Sequence, residues 1–252
     1  MKEGIKDIFE LNKKEESIFG IIGRMETLVN YFESVKKYSG LIGFLKTYLA
    51  VTQKVEAKYV KKSDYYLNIK KLEQVDIEFA SLYFKALKSY LISEKKLSPW
   101  KEYFNYCEEG GGWYFLQMLL GIHVHINADL CVTLVNLNYK VRKDFLVINK
   151  ILEELIPGIM FDLAFHKQDI FGFGGVVFRD FVKKEFNKIV VGWRLQAWKN
   201  AQVLRKNPKK KRELHQKTEQ MTLELIKLFD DAMHLKNVFE FIGKLEEMKV
   251  EI

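Results

Sequence analysis

Apolar residues recur at intervals of three and four along most of this chain, and that spacing predicts a protein built from helices. Ile18, Ile21, Ile22, Met25, Leu28, Val29 and Phe32 form one stripe on a helix over about residues 15–37, closed by Ser39-Gly40. A second helix is expected over about 41–59 through Phe44, Leu45, Tyr48, Leu49, Val51 and Val55, and a third over about 69–93 through Leu72, Val75, Phe79, Tyr83 and Leu87. Ser98-Pro99-Trp100 has an N-cap residue followed by proline at the first helical position, opening a short helix to about Cys107. From Gly110 to Asn138 the pattern changes, because apolar residues fall on every side. A helix with no polar face is one surrounded by others, and the central helix is placed at about 113–139. Beyond it, Asp144 caps a helix expected to end at Pro157-Gly158, an apolar stretch covers Phe161 to Phe171, and Gly172-Phe173-Gly174-Gly175 reads as a joint. Helices over about 176–206 and 213–247, hinged at Asn207-Pro208, complete the chain.

The fold class this predicts is all-α: one domain over residues 1–252, with about eight to ten helices packed around the buried central one. No internal repeat and no Gly/Ser-rich or Pro-rich linker divides it. With 252 residues, 48% hydrophobic and 14% aromatic, the chain has ample material for a core. The net charge of +8 comes almost wholly from lysines spread along polar helix faces, and the basic run at 206–212 has no interleaved aromatics. Neither feature indicates a nucleic-acid partner. The central segment is long enough to span a bilayer, but Asp129 and two histidines near its middle favour a soluble core helix, so no membrane association is expected. Cys107 and Cys131 lie in no zinc or disulfide pattern, and no secretory signal follows Met1, which together predict a cytoplasmic protein. Nothing in the pattern specifies an oligomer.

Candidate chemistry concentrates in the central helix. Asp129 is the only formally charged residue from Gly110 to Asn138, and His123, His125 and Asn127 crowd around it. Burying a carboxylate costs several kcal/mol unless it is paired or protonated, so the fold must supply a partner. At about 100° per residue, His125 and Asp129 lie one turn apart on one face, while His123 and Asn127 fall nearly opposite. The cluster therefore reads as two polar pairs rather than a four-ligand box. A histidine and a carboxylate at this spacing can hold a metal, form a base oriented by its acid, or neutralise each other in the core. Asp162, His166 and Asp169 offer a second such face. Asp76 and Tyr83 share a face of the third helix, and Arg194 and Trp198 share one on the helix over 176–206, making Arg194 the candidate cation for Asp129 or Asp76. No GxGxxG after a strand, phosphate-binding GxxxxGK[ST], GxSxG or HExxH motif is present.

The segments Phe44 to Val55 (which contain Tyr48), Phe79 to Leu87, Leu120 to Leu130, Asn149, and Arg194-Leu195-Gln196-Ala197-Trp198 resemble an uncharacterised bacterial family. Its signature is similar to Gly-Met-Asn-Ala-His-Ile-Asn-x-Asp-Leu with a later Arg-x-x-Ala-Trp, and the likeness covers about residues 41–206. The resemblance implies a helical domain of unknown function in which His125, Asn127, Asp129, Arg194 and Trp198 occupy motif positions. His123 stands where that pattern has asparagine.

These readings converge on a polar site of His125, Asp129 and Arg194, with Asn127, Trp198, Tyr83, Asp76 and Tyr48 as ligand-contacting residues. The expected activity is acid/base chemistry on a small, partly apolar anionic substrate. One alternative is a non-catalytic ligand-binding or scaffold protein with the same residues in a core network, and a third reading is a metal-dependent enzyme using His125 and Asp129. No cofactor is predicted.

Overall fold

The computed structural model describes residues 8–9, 17–61, 69–109, 114–165, 176–235 and 238–252, and these form an all-α bundle. Nine helices are present among the described residues: α1 Ile18–Ser34, α2 Ile42–Lys61, α3 Ile69–Ser93, α4 Lys101–Glu108, α5 Tyr114–Asn136, α6 Arg142–Phe165, α7 Val176–Lys206, α8 Lys211–Leu235 and α9 Val238–Glu247. Every residue of α5 from Tyr114 to Leu134 is buried. Helices α2, α3, α4, α7 and α8 all pack on it, with α1 covering α2 and α6 wedged against α2 and α7. It is the one helix among the described residues long and apolar enough to cross a membrane, and 94% of its apolar window lies inside the protein. Its apolarity is thus explained by its position in the core.

Local chemistry sets the helix ends. Ser17 caps α1 through a hydroxyl that accepts the Gly20 N–H at 3.2 Å. At the end of α5, Asn138 adopts φ 46°, Tyr139 N–H bonds Leu134 C=O at 2.9 Å and Asn138 N–H bonds Val135 C=O at 2.9 Å. This paired closure satisfies two carbonyls the helix would otherwise leave open. The Arg205 guanidinium on α7 donates to the same Leu134 carbonyl and to Tyr139 C=O.

Several boundaries differ from those the pattern predicts. Ser98-Pro99 is a cis peptide and α4 begins at Lys101, so Pro99 belongs to the preceding turn and Ser98 is not the cap. Asp144 lies inside the first turn of α6, and α6 runs through Pro157 to Phe165 rather than stopping there. A mid-helix proline removes one hydrogen bond and costs about 3 kcal/mol. Burial of Ile148, Leu152, Ile156 and Ile159 along the same helix outweighs that loss. The expected 213–247 helix is two, α8 and α9. The Gly172–Gly175 joint, His166, Asp169 and the side chain of Asp162 lie outside the described residues.

Helix α5 is not uniformly α-helical. Residues His125–Leu130 form a π-helical turn between α-helical stretches Tyr114–Val124 and Cys131–Asn136. Such a turn accommodates an extra residue, and it occurs often at functional sites. Here it coincides with the His125–Asp129 pair.

Candidate functional site

Helix α5 carries two polar pairs, on opposite sides, in and just before its π turn. On one side His125 Nδ1 lies 2.9 Å from Asp129 Oδ2, and the same oxygen accepts the Trp100 Nε1–H at 3.0 Å from the turn before α4. Asp129 is therefore held by an indole and an imidazole. On the other side His123 faces α7 and α8: its Nε2 meets Thr218 C=O at 3.2 Å and its Nδ1 meets Asn127 Nδ2 at 2.9 Å. Trp193 packs edge-on against it at 5.3 Å. Both nitrogens of His123 are thus engaged, and Asn127 belongs to this second pair, away from His125.

Aromatic rings fix the orientation of His125. Phe79 of α3 stacks on the imidazole at 3.5 Å and 12°, and Tyr48 of α2 meets it edge-on at 4.6 Å. Phe44 stands 5.6 Å away. With Nδ1 tied to Asp129, the imidazole presents Nε2. That atom is buried, makes no hydrogen bond, and belongs to a ring lining a partly open cavity of about 100 Å³. An orphaned buried acceptor or donor in a native core calls for an explanation, and a ligand is one.

The cavity lies between α2, α3, α5 and α6. Its walls are mostly aliphatic and aromatic, with Thr47, Tyr48, Thr52, Asp76, His125, Tyr139 and Arg194 as its polar members. Arg194 reaches it from α7, with Nε bonded to Asn149 Oδ1 at 2.6 Å and its guanidinium 5.3 Å from the Phe145 ring. The ring against the guanidinium is thus that of Phe145. Trp198 packs behind Phe145 at 4.7 Å and does not line the cavity. Tyr83 is fully buried 5.0 Å from both Phe44 and Trp100 and 6.1 Å from His125, also off the lining. Of the eight residues singled out from the sequence, His125, Arg194, Asp76 and Tyr48 meet at the cavity. Asp129 stands directly behind His125, Tyr83 and Trp198 support the walls, and Asn127 lies on the far side of α5.

Burial drives both members of the pair toward their neutral forms. It lowers the His125 pKa well below the ordinary histidine value, with the Arg194 charge adding to the effect. It raises the Asp129 carboxyl well above its usual range, a shift partly offset by the Trp100 N–H. At neutral pH the imidazole is therefore uncharged. Because Nδ1 is engaged with Asp129, the two side chains can ligate one metal ion only by giving up that bond. Among the described residues no three of His, Cys, Asp and Glu come together.

Trp100 and Phe79 have no counterpart in the sequence-level site. Phe79 lies on the same face as Asp76, three residues on, and reads there as an ordinary core position. Trp100 reaches Asp129 from 29 residues away through a turn with no periodic signal.

The fold and the site define an all-α bundle with a buried histidine–aspartate pair whose histidine lines a cavity. The chain belongs to a family of unknown function, DUF5995, whose family model matches residues 18–230. This extends beyond the 41–206 core expected from the motifs to include α1 and most of α8. The chain matches no curated protein and no solved structure.

Proposed function

We propose that the protein performs acid/base chemistry on a small, partly apolar anionic ligand held in this cavity. The supporting observation is the unpartnered Nε2 of His125, on a ring that is held by Phe79, Tyr48 and Asp129 and lines the cavity. In this reading Asp129 Oδ2 accepts a hydrogen bond from His125 Nδ1–H, which leaves Nε2 unprotonated as the base. Trp100 holds the carboxylate in place, and Arg194, at the cavity wall, binds the anionic end of the substrate.

Nitrogen-15 NMR of histidine-labelled protein tests the proton assignment directly. The expected spectrum has a protonated Nδ1 and an unprotonated Nε2 for His125 at neutral pH. Activity is then sought by incubating the wild type and His125→Gln with a panel of small carboxylic acids and their esters. Turnover present in the wild type and lost in a variant that melts within a few degrees of it supports the base. An unprotonated Nδ1, or turnover that survives the substitution, overturns it.

A further inference from the structure

The cavity beside His125 has a second polar group with nothing to bond. Much of its polar lining is already used. The Thr47 and Thr52 hydroxyls donate to the Gly43 and Tyr48 carbonyls of their own helix at 2.9 Å each, Arg194 is bonded to Asn149, and Asp76 holds interactions of its own. The Tyr139 hydroxyl, like His125 Nε2, is buried and makes no hydrogen bond. Both backbone groups of this residue are engaged. Its N–H bonds Leu134 C=O at 2.9 Å, its C=O accepts from the Arg205 guanidinium, and its ring stands edge-on to Trp198 at 6.4 Å. A hydroxyl left open on a residue so fixed calls for a partner from outside the chain.

We infer that Tyr139 is a second ligand-binding residue of this site, its O–H donating to an uncharged carbonyl or hydroxyl oxygen of the ligand whose proton His125 accepts. The role of His125 rests on the acid/base reading; the role of Tyr139 does not. Burial raises the phenol above the ordinary tyrosine value, and the Asp144 and Asp76 charges add to the effect, so at neutral pH it keeps its proton and acts as a donor. The same two carboxylates repel an anion at the phenol. The oxygen received there is therefore uncharged, and distinct from the anionic end assigned to Arg194. The two open atoms are complementary, since Nε2 accepts a proton and the phenol donates to a lone pair. Together with that anionic end, they define the ligand class as a small hydroxy or oxo acid.

Uncharged probes isolate the Tyr139 contact from the anionic end. The full chain and its Tyr139→Phe variant are titrated with pentane, 2-pentanone and 2-pentanol, with affinities read from amide NMR shifts. These probes have five or six non-hydrogen atoms, and at about 10–15 Å³ for each water-sized group they fit the cavity of about 100 Å³. Tyr139→Phe should weaken one or both oxygen-bearing probes about three- to tenfold, the worth of one uncharged hydrogen bond, and leave pentane bound as before. The larger loss identifies whether the phenol receives a carbonyl or a hydroxyl. Without ligand the variant should melt at or above the wild-type temperature, because a buried hydroxyl with no partner has been removed. A lower melting temperature would show that the hydroxyl has a partner within the protein and would overturn the assignment. So would an equal loss for pentane, no loss for either oxygen-bearing probe, or no binding of any of the three to the wild type. His125→Gln separates the two readings. If the Tyr139→Phe loss is seen while turnover survives His125→Gln, Tyr139 stands and the base falls. If turnover is lost with His125→Gln but Tyr139→Phe binds all three probes like the wild type, the base stands and Tyr139 falls.

Discussion

His123 and His125 sit two residues apart on one helix, each with a polar partner four residues on, and burial makes different things of them. His123 has a partner on both nitrogens and is fully buried, and desolvation lowers its pKa to about 4. A histidine depressed from 6.5 gains its proton in the unfolded chain first. Its contribution is complete above about pH 6.5 and is lost as pH falls toward 4, about 3 kcal/mol in all. His125 acts in the same sense, while the raised Asp129 carboxyl acts in the opposite one, its contribution diminishing as pH rises above the unfolded value. Comparing urea unfolding of the wild type and His123→Gln from pH 7 to pH 4 isolates the first effect. The variant should show the shallower loss, and parallel curves would mean that His123 is protonated in the fold. Asp129→Asn tests the other pair. An amide oxygen in the place of Oδ2 accepts from both Trp100 Nε1 and His125 Nδ1, so the tautomer is kept and only the ionisable carboxyl is lost. Turnover should fall by roughly an order of magnitude as support for a protonated imidazole is lost, while the melting temperature at pH 7 should hold or rise, since a buried ionisable group has been removed.

Helices α2 and α5 meet beside this site at a distance that leaves no slack. A Cβ on Gly121 would come 2.3 Å from Phe44 Cγ, so α2 approaches α5 this closely only because position 121 has no side chain. Phe44 in turn stands against Tyr48, Tyr83, Trp100 and His125. Gly121→Ala should therefore cost about 1–3 kcal/mol by overpacking, and the cost should shrink in a Phe44→Leu background. Equal costs in both backgrounds, read from denaturant unfolding, would show that the strain is relieved elsewhere. Much at this scale is legible in the sequence: α3 falls on its predicted residues, and α5 is identified as the core helix by having no polar face. The His125–Asp129 and His123–Asn127 pairings follow from helical phase alone. The π turn does not, because i, i+4 neighbours stay close in both helix types and no residue pattern marks the extra one. The passage of α6 through Pro157 is likewise decided by tertiary burial, which local propensity does not contain.

For the whole molecule, the cavity binds together helices that the motifs alone separate. Ile21 of α1, outside the motif-bearing region, lines the cavity beside Tyr48 and Val55, and Thr218 of α8 receives His123. The family match over residues 18–230 includes both. This argues that the bundle unfolds as one unit and that residues 41–206 do not suffice. Removing α1 would expose partners of Ile18, Ile21, Met25, Leu28 and Phe32, all buried. At about 1.5–3 kcal/mol per side chain, that loss matches the whole stability of an ordinary domain, about 5–15 kcal/mol. Losing α8 would add the burial of Leu214, Leu225 and Phe229 and leave His123 without its acceptor. The full chain should therefore melt in a single calorimetric transition with equal van't Hoff and calorimetric enthalpies. A fragment of residues 41–206 should show no cooperative melt and no fixed His125 tautomer. A cooperative transition in that fragment would make α1 and α8 additions to a self-sufficient core, and the cavity would then have to close without Ile21.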